Sequence, residues 1–327
     1  MESVIKTGNL EIRSTVLFIS ESKQKSKMKK IYSVIDVGTN NVLLLIASKT
    51  DGNLEILRQA SYTSALGKNM RDNLLSFDAI ERTRKILDKV ISDSRKFTDN
   101  IIVIGTSCSR EAENIHLLSD WLREKHKLKF NIISGEREAY LNGLANFYEF
   151  PFLKKIMLFD VGGGSTEFTF IAEKQILENI SLEIGIRRFH DKFSNDFDKI
   201  AKETKKILSE TRFPEFEEIS LIGIGGTVTS LATIKNGLRK YDGTIVHKSV
   251  LTKEEIDAFL QKFRYSTDSQ ISELMPFEPL RADIIICGTI IVKEIIDYFS
   301  ADKIFVSDRG LQFGVLKLEE TELREML

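Results

Sequence analysis

Ile156-Met-Leu-Phe-Asp160-Val-Gly162-Gly163-Gly164-Ser165-Thr166-Glu167 starts as an apolar run and ends on a carboxylate, three glycines and two hydroxyls. The run reads as a buried strand and the glycines as a turn. Glycine has no Cβ and tolerates positive φ, so successive N–H groups can swing towards one anion. Asp160 beside a phosphate would repel it, and a divalent cation between them, Mg2+ or another, removes that conflict. Glu167-Phe-Thr-Phe-Ile-Ala172 then alternates as a strand does, which makes the unit strand–loop–strand. A Rossmann fingerprint would open a helix here, and a Walker loop would need Gly-Lys-Ser/Thr. Neither fits.

The same plan occurs earlier, in Ile31-Tyr-Ser-Val-Ile-Asp36-Val-Gly38-Thr39-Asn40-Asn41-Val-Leu-Leu-Leu-Ile-Ala47. The aspartates are 160 − 36 = 124 residues apart and the closing alanines 172 − 47 = 125. Two phosphate-type hairpins one domain apart predict two similar domains facing each other across a cleft. One such aspartate alone would be a turn acid; both, at equivalent places in a duplication, point to function.

A chain of 327 residues is long enough for two well-buried domains, and 42% hydrophobic with 29% charged residues is ordinary globular composition. The formal net charge of −1 gives no global field for a polyanion, so phosphate must be held by local Arg and Lys; it also argues against nucleic acid as a partner. Cys108 and Cys287, far apart and beside apolar segments, read as free thiols of a reducing, cytoplasmic compartment. No apolar run is long enough to span a bilayer, so no membrane partner is expected. Residues 1–28 read as a disordered extension with no signal-peptide core, and Met28 is a second candidate start.

Along the chain, Leu54 to Ser61 reads as a strand, and Ser76 as the cap of a helix running to about Phe97. Ile101 to Gly105 is a buried strand that leads through Thr106–Asn114 into a helix; Phe130 to Ser134 is the next strand, and Gly135 opens a short helix. The second half repeats this order, with strands to about Ile184, a polar helix near Phe197–Ser209, and a strand Ile219–Ile224 ending on Gly225-Gly226-Thr227 at a helix start. Arg281 to Phe299 reads as an apolar helix, Lys303 to Val306 as a strand, and Leu311 to Leu327 as a final helix. This βββαβα order, duplicated, predicts an α/β protein with mixed sheets. Domain I spans 29–135 with 311–327 returning to it, and domain II spans 136–310.

Glu138 opens a helix, where a glutamate ordinarily answers the helix dipole. Glu167 sits on a strand beside the glycine loop and is placed to point back into the cleft. Arg110 and Arg281 stand at helix starts, where solvated arginine is the default, although a bidentate guanidinium suits phosphate. The four histidines form no metal set and read as structural, and Trp121 as packing. Arg187-Arg188 reads as a surface pair.

Together, Asp36-Val-Gly-Thr-Asn, Thr106-x3-Arg110-Glu-Ala-x-Asn114, Ile133-Ser-Gly-x2-Glu138-Ala, Asp160-Val-Gly-Gly-Gly-Ser-Thr-Glu167 and Gly225-Gly-Thr227 resemble the exopolyphosphatase / guanosine pentaphosphate phosphohydrolase family. The likeness continues through Arg281-Ala-Asp-Ile-Ile and Val306-Ser-Asp-Arg-Gly310, so it runs from about Lys30 to the C-terminus. Two departures are Ala65 before Leu66-Gly67, where the family often has arginine, and Asn41, where many members have serine. The resemblance implies two actin-like (ribonuclease H-like) domains and a hydrolase that uses Mg2+. It implies that Glu138 activates the attacking water, with Asp160 and Glu167 catalytic and Asp36, Asp160 and Glu167 near the cation. It implies that Gly38, Thr39, Asn40, Arg110, Gly162, Gly163, Gly164, Ser165, Gly225, Gly226, Thr227 and Arg281 hold the phosphates. The expected substrate is inorganic polyphosphate, guanosine pentaphosphate or both, and a homodimer is the candidate assembly. The rivals are an ATP-dependent kinase or ATPase of the same superfamily and a non-catalytic sensor of guanosine tetraphosphate.

Overall fold

The computed structural model describes residues 29–50, 53–173, 175–215 and 218–327, so the extension expected at 1–28 lies outside the described residues. Strands β1 (Lys30–Val37), β2 (Asn41–Thr50), β3 (Asn53–Thr63), β4 (Ile101–Gly105) and β5 (Phe130–Ile132) form one sheet in the order β3-β2-β1-β4-β5. A second sheet holds β6 (Lys155–Val161), β7 (Thr166–Ala172), β8 (Gln175–Leu182), β9 (Ser220–Ile224), β10 (Val250–Thr252) and β11 (Lys303–Val306) in the order β10-β11-β9-β6-β7-β8. Read from β8 inwards, it repeats the first sheet and adds β10 at the far edge.

The duplication extends to register. β1 runs antiparallel to β2 and parallel to β4, placing Asp36 opposite Leu43 and Ile104. β6 treats β7 and β9 the same way, placing Asp160 opposite Glu167 and Ile224. A register shift falls at Ile46/Ala47 in one copy and Phe170/Ile171 in the other. Each hairpin turn is closed by one bond, Gly38 N–H to the Asn41 carbonyl and Gly162 N–H to the Ser165 carbonyl, both 2.9 Å.

The central strands are apolar on both faces because both faces are covered. On one face of the first sheet, the helix Phe77–Arg95 packs Ile80, Leu87, Val90 and Ile91 against Ile35, Leu44 and Val103. Its N-cap is Ser76, whose hydroxyl accepts the Ala79 N–H. The opposite face buries Val34, Leu45 and Ile104 beneath Leu141 of the helix Gly135–Asn146 and Leu311, Leu316 and Leu323 of the C-terminal segment. Each such aliphatic side chain contributes about 1.5–3 kcal/mol by leaving water. In the second unit every residue of β7 is buried, and the helix Ile285–Tyr298 is buried along most of its length between β6 and neighbouring helices.

Several elements depart from expectation. The helix after Thr106 is only Ser107–Glu111; Ala112 is extended, and the chain resumes as His116–Trp121 with a wide π turn at Leu122–His126. Arg281 does not open the apolar helix. It closes a 3-10 turn, Pro279–Arg281, and the helix starts at Ile285, because proline fixes the turn and Glu278 draws the guanidinium back. The last helix is two, Leu311–Lys317 and Glu320–Met326; Leu318 between them is extended, which lets Leu318 and Leu323 both reach the core. Helices at Ile186–Phe193, Gly243–Val246, Lys253–Arg264 and Asp268–Leu274 occupy segments to which the sequence reading assigned no element.

Candidate active site

The two glycine turns meet tip to tip. A Cβ placed on Gly163 would lie 2.7 Å from the Thr39 Cβ, and one on Gly164 would lie 2.3 Å from the Ser107 hydroxyl, so only glycine allows this approach. Beside them opens a cavity of about 1010 Å³ whose wall includes Gly38, Thr39, Asn40, Gly162–Ser165, Gly225 and Gly226. The helix Gly225–Lys235 starts here with no side-chain cap, leaving its first N–H groups for a ligand. Gly225 has φ +83° and lies against Asp160 Oδ1, a position closed to any side chain.

Glu138 and Asp160 both face this cavity. Ser134 caps the helix Gly135–Asn146 through the Arg137 N–H, and the first turn of that helix delivers Glu138. The Glu138 carboxylate takes Arg110 Nη1 at 2.8 Å, while Asp160 Oδ2 takes Asn142 Nδ2, from the same helix, at 3.1 Å. Burial pushes Glu138 up to about 7 against the opposing pull of Arg110, with the Asp160 charge adding to the rise. Burial likewise lifts Asp160 to about 6, and the Asn142 bond opposes it.

Two other expected acids lie behind the wall. Asp36 is covered, with Gln312 Nε2 at 3.5 Å from Oδ2 and no partner for Oδ1. Glu167 is 2% exposed; Oε1 accepts from Ser165 Oγ (2.5 Å) and Ser181 Oγ (2.9 Å), and Oε2 has no partner. Burial first, then the neighbouring carboxylates, holds both well above the ordinary carboxylate range. Of the expected ligands Asp36, Asp160 and Glu167 only Asp160 lines the cavity, and among the described residues no three His, Cys, Asp or Glu side chains are grouped to hold a metal ion. The physical reason is that Ser165 and Ser181 hold Glu167 away and Gln312 covers Asp36, leaving Asp160 as the one of the three on the wall. Unpartnered carboxylate oxygens remain hard-cation donors, and an ion such as Mg2+ is commonly held by one or two carboxylates with water and substrate phosphate. The donor chemistry fits on those terms.

Arg281 reaches the wall, 5% exposed, with its guanidinium against Gly226. It is paired with Glu278, Nε to Oε2 at 2.8 Å and Nη2 to Oε1 at 3.1 Å, and Glu278 also takes Asn41 Nδ2 at 2.8 Å across the cleft. Arg110 stands one layer back, its Nη1 on Glu138 and the Ile133 carbonyl, its Nη2 3.5 Å from Ser165 Oγ. Thr227 is not on the wall: its hydroxyl is buried against Gly288.

Arg187 and Arg188 are a correction, being no surface pair. Arg187 is 2% exposed and bridges Asp283 (3.1 Å) to the Asn40 side chain (3.2 Å), tying the second unit to the first hairpin. Arg188 Nε donates to the Gly164 carbonyl at 2.8 Å and its guanidinium pairs with Glu111. Gly185, where an added Cβ would lie 2.3 Å from the Gly164 backbone, lets the start of their helix pass against the glycine turn. Histidine partners are structural: His126 faces Asp88 at 2.8 Å, and His247 faces Glu149 while accepting the Asp308 N–H. Trp121 packs edge-on to His126 under Arg84 and Lys125. Cys108 and Cys287 are buried free thiols, and among the described residues no helix is long and apolar enough to cross a membrane.

Comparison with known proteins bears on this arrangement. The profile of the Ppx/GppA phosphatase family matches residues 45–322. The bifunctional 3-dehydroquinate synthase/phosphatase of Fusobacterium nucleatum is 35% identical over 317 residues, covering 89% of this chain; the chain spans about half, 47%, of that relative's length. The crystal structure of the Aquifex aeolicus Ppx/GppA family member superposes with TM-score 0.74 at 28% identity, covering 91% of this chain and 99% of the other. An exopolyphosphatase structure from Cytophaga hutchinsonii gives 0.78 at 25% identity, over 90% and 98%.

Proposed function

The chain belongs to the Ppx/GppA phosphatase family and has its actin-like α/β fold, and from that premise we propose that it hydrolyses a terminal phosphoryl group from inorganic polyphosphate, guanosine pentaphosphate or both. The observation that carries this is the convergence of two carboxylates, Glu138 and Asp160, with the glycine turns and an uncapped helix N-terminus on one cavity. The turns and the helix N–H groups receive the phosphate oxygens. Water attacks the terminal phosphorus and gives a proton to Glu138, whose carboxylate Arg110 orients, while the bond to the bridging oxygen breaks and that oxygen leaves, carrying the charge, on the shortened substrate. Arg281 exchanges Glu278 for a phosphate oxygen and meets charge on the transferred group. Asp160, with Asp36 behind it, would hold Mg2+, which when bound neutralises phosphate charge and lets a polyanion lie beside carboxylates.

In this reading the expected cytoplasmic setting accords with two unpaired cysteines. A kinase or sensor reading has no observation of its own in its favour. The test is phosphate release in the presence of Mg2+ from polyphosphates and guanosine pentaphosphate, with the Glu138→Gln chain in parallel. Release by the parent that Glu138→Gln abolishes is expected; equal release by both chains, or none by the parent, overturns the assignment.

A further inference from the structure

Arg281 comes to the cavity with an anion already on it. Among the described lining residues it is the sole cation, and Glu278, three residues earlier on the same wall, takes its Nε at 2.8 Å and its Nη2 at 3.1 Å. Two carboxylate oxygens on two N–H groups of a planar guanidinium make the pairing that two phosphate oxygens would make. Burial pushes Glu278 up, but the Arg281 charge, its hydrogen bonds and that of Asn41 outweigh burial and hold the carboxyl below its ordinary value, so the group is ionised at neutral pH. The guanidinium lies against Gly226, in the first turn of the uncapped helix Gly225–Lys235, where an anion is favoured. Glu278 Oε1 also accepts from Asn41 Nδ2 across the cleft, at 2.8 Å. Asn41 belongs to the first glycine turn: its carbonyl accepts the Gly38 N–H and its Oδ1 accepts from Asn40 Nδ2, both at 2.9 Å.

One carboxylate thus holds both the arginine of the second unit and the glycine turn of the first. A phosphate that takes Arg281 in the same way must put that carboxylate off, because two anions cannot share the same N–H groups and repel each other at such a distance. Tethered three residues from the arginine, the carboxylate competes as an intramolecular ligand whose local concentration never falls. We infer that Glu278 is a resident rival of phosphate for Arg281: it weakens the site's hold on each phosphate that enters, and its return to the fork drives out the inorganic phosphate that hydrolysis leaves behind. This rests on the phosphohydrolase reading and adds to it what limits the product's stay.

The experiment titrates inorganic phosphate, with Mg2+ present, into the parent and the Glu278→Gln chain by calorimetry. Glutamine keeps the length of the side chain and an oxygen for Asn41, and removes the charge that claims the fork. The variant is expected to bind phosphate about five- to tenfold more tightly, between the worth of one exposed ion pair and that of one charge-assisted hydrogen bond. Its KM for phosphate release and its inhibition constant for product phosphate should fall together. Equal or weaker binding overturns the inference, since a glutamate that merely props Arg281 in place would cost affinity when replaced. A second measurement uses the parent alone, crystallised with phosphate. Arg281 Nε and Nη2 on the phosphate with Glu278 turned away supports the rivalry; phosphate on Arg281 with Glu278 still seated on Nε and Nη2 overturns it. The two readings fail separately. A parent that releases phosphate from no substrate sinks the phosphohydrolase, yet tighter phosphate binding by Glu278→Gln still supports the rival. A parent that hydrolyses while both chains bind phosphate alike sinks the rival alone.

Discussion

At the scale of single residues, the site is a set of acids held partly protonated by burial. Glu138 must lose its proton to act as a base, so kcat should climb as pH rises through about 7. Glu138→Gln keeps size and hydrogen-bonding reach but cannot accept the proton; kcat should fall by roughly 10²–10⁴, with binding retained, in a stopped phosphate assay. The same acids shape stability in the opposite sense. Asp36, Glu138, Asp160 and Glu167 all have folded values above their unfolded ones, so the folded chain binds more protons over the interval between. The contribution of Glu138 and Asp160 is present below the ordinary carboxylate range and is lost as pH rises through about 6 to 7. The melting temperature without metal should therefore fall across that window, and Asp160→Asn should flatten the fall. A Tm that rises steadily from pH 5 to 8 in both chains would contradict this. In the proposed role Arg281 makes a charge-assisted phosphate contact of about 1.5–3 kcal/mol, so Arg281→Ala should raise KM more than it lowers kcat.

Among elements, the helix Phe77–Arg95 is the plainest case of sequence dictating structure. Ser76→Ala removes the hydroxyl that accepts the Ala79 N–H. The cost should be about 0.5–2 kcal/mol, read in thermal or urea denaturation, with activity spared because neither Ser76 nor Ala79 lines the cavity. That cap, the duplicated hairpins and β4 were legible because their signals are local: a capping residue before a periodic run, or an apolar strand ending on glycine. The capping boxes Thr252–Glu255 and Thr267–Gln270 carried equally local signals, and the reading passed over them. Arg187 was another matter. Its value is set by Asn40 and Asp283, 147 and 96 residues away, and a basic pair looks the same whether its partners are there or not. The same holds for Arg281, whose helix starts later because Glu278 and Pro279 reshape the turn, and for Glu167, which two serines on neighbouring segments turn from the cavity.

For the molecule as a whole, the cleft is bridged by a few polar links, Arg187 to Asn40 and Asn41 to Glu278, around the abutting turns. Gly163→Ala would force Thr39 away and wedge the turns apart. It should lower kcat well beyond any change in Tm, since the contact joins units that each keep their own core. Equal losses in both would mean the two units fold as one.

The covering of the first sheet by the last helices has a consequence for biosynthesis. Val34, Leu45 and Ile104 are made before the second unit, but Leu311, Leu316 and Leu323, which close over them, are made after it. Domains usually settle in the order they are made; here the first sheet must wait, one face covered only by Leu141 and Ala145 of the helix Gly135–Asn146, through the synthesis of the second sheet. Nascent chains arrested just before Leu311 should accordingly bind a hydrophobic dye and be cut by protease within the first sheet, whereas released chains resist both.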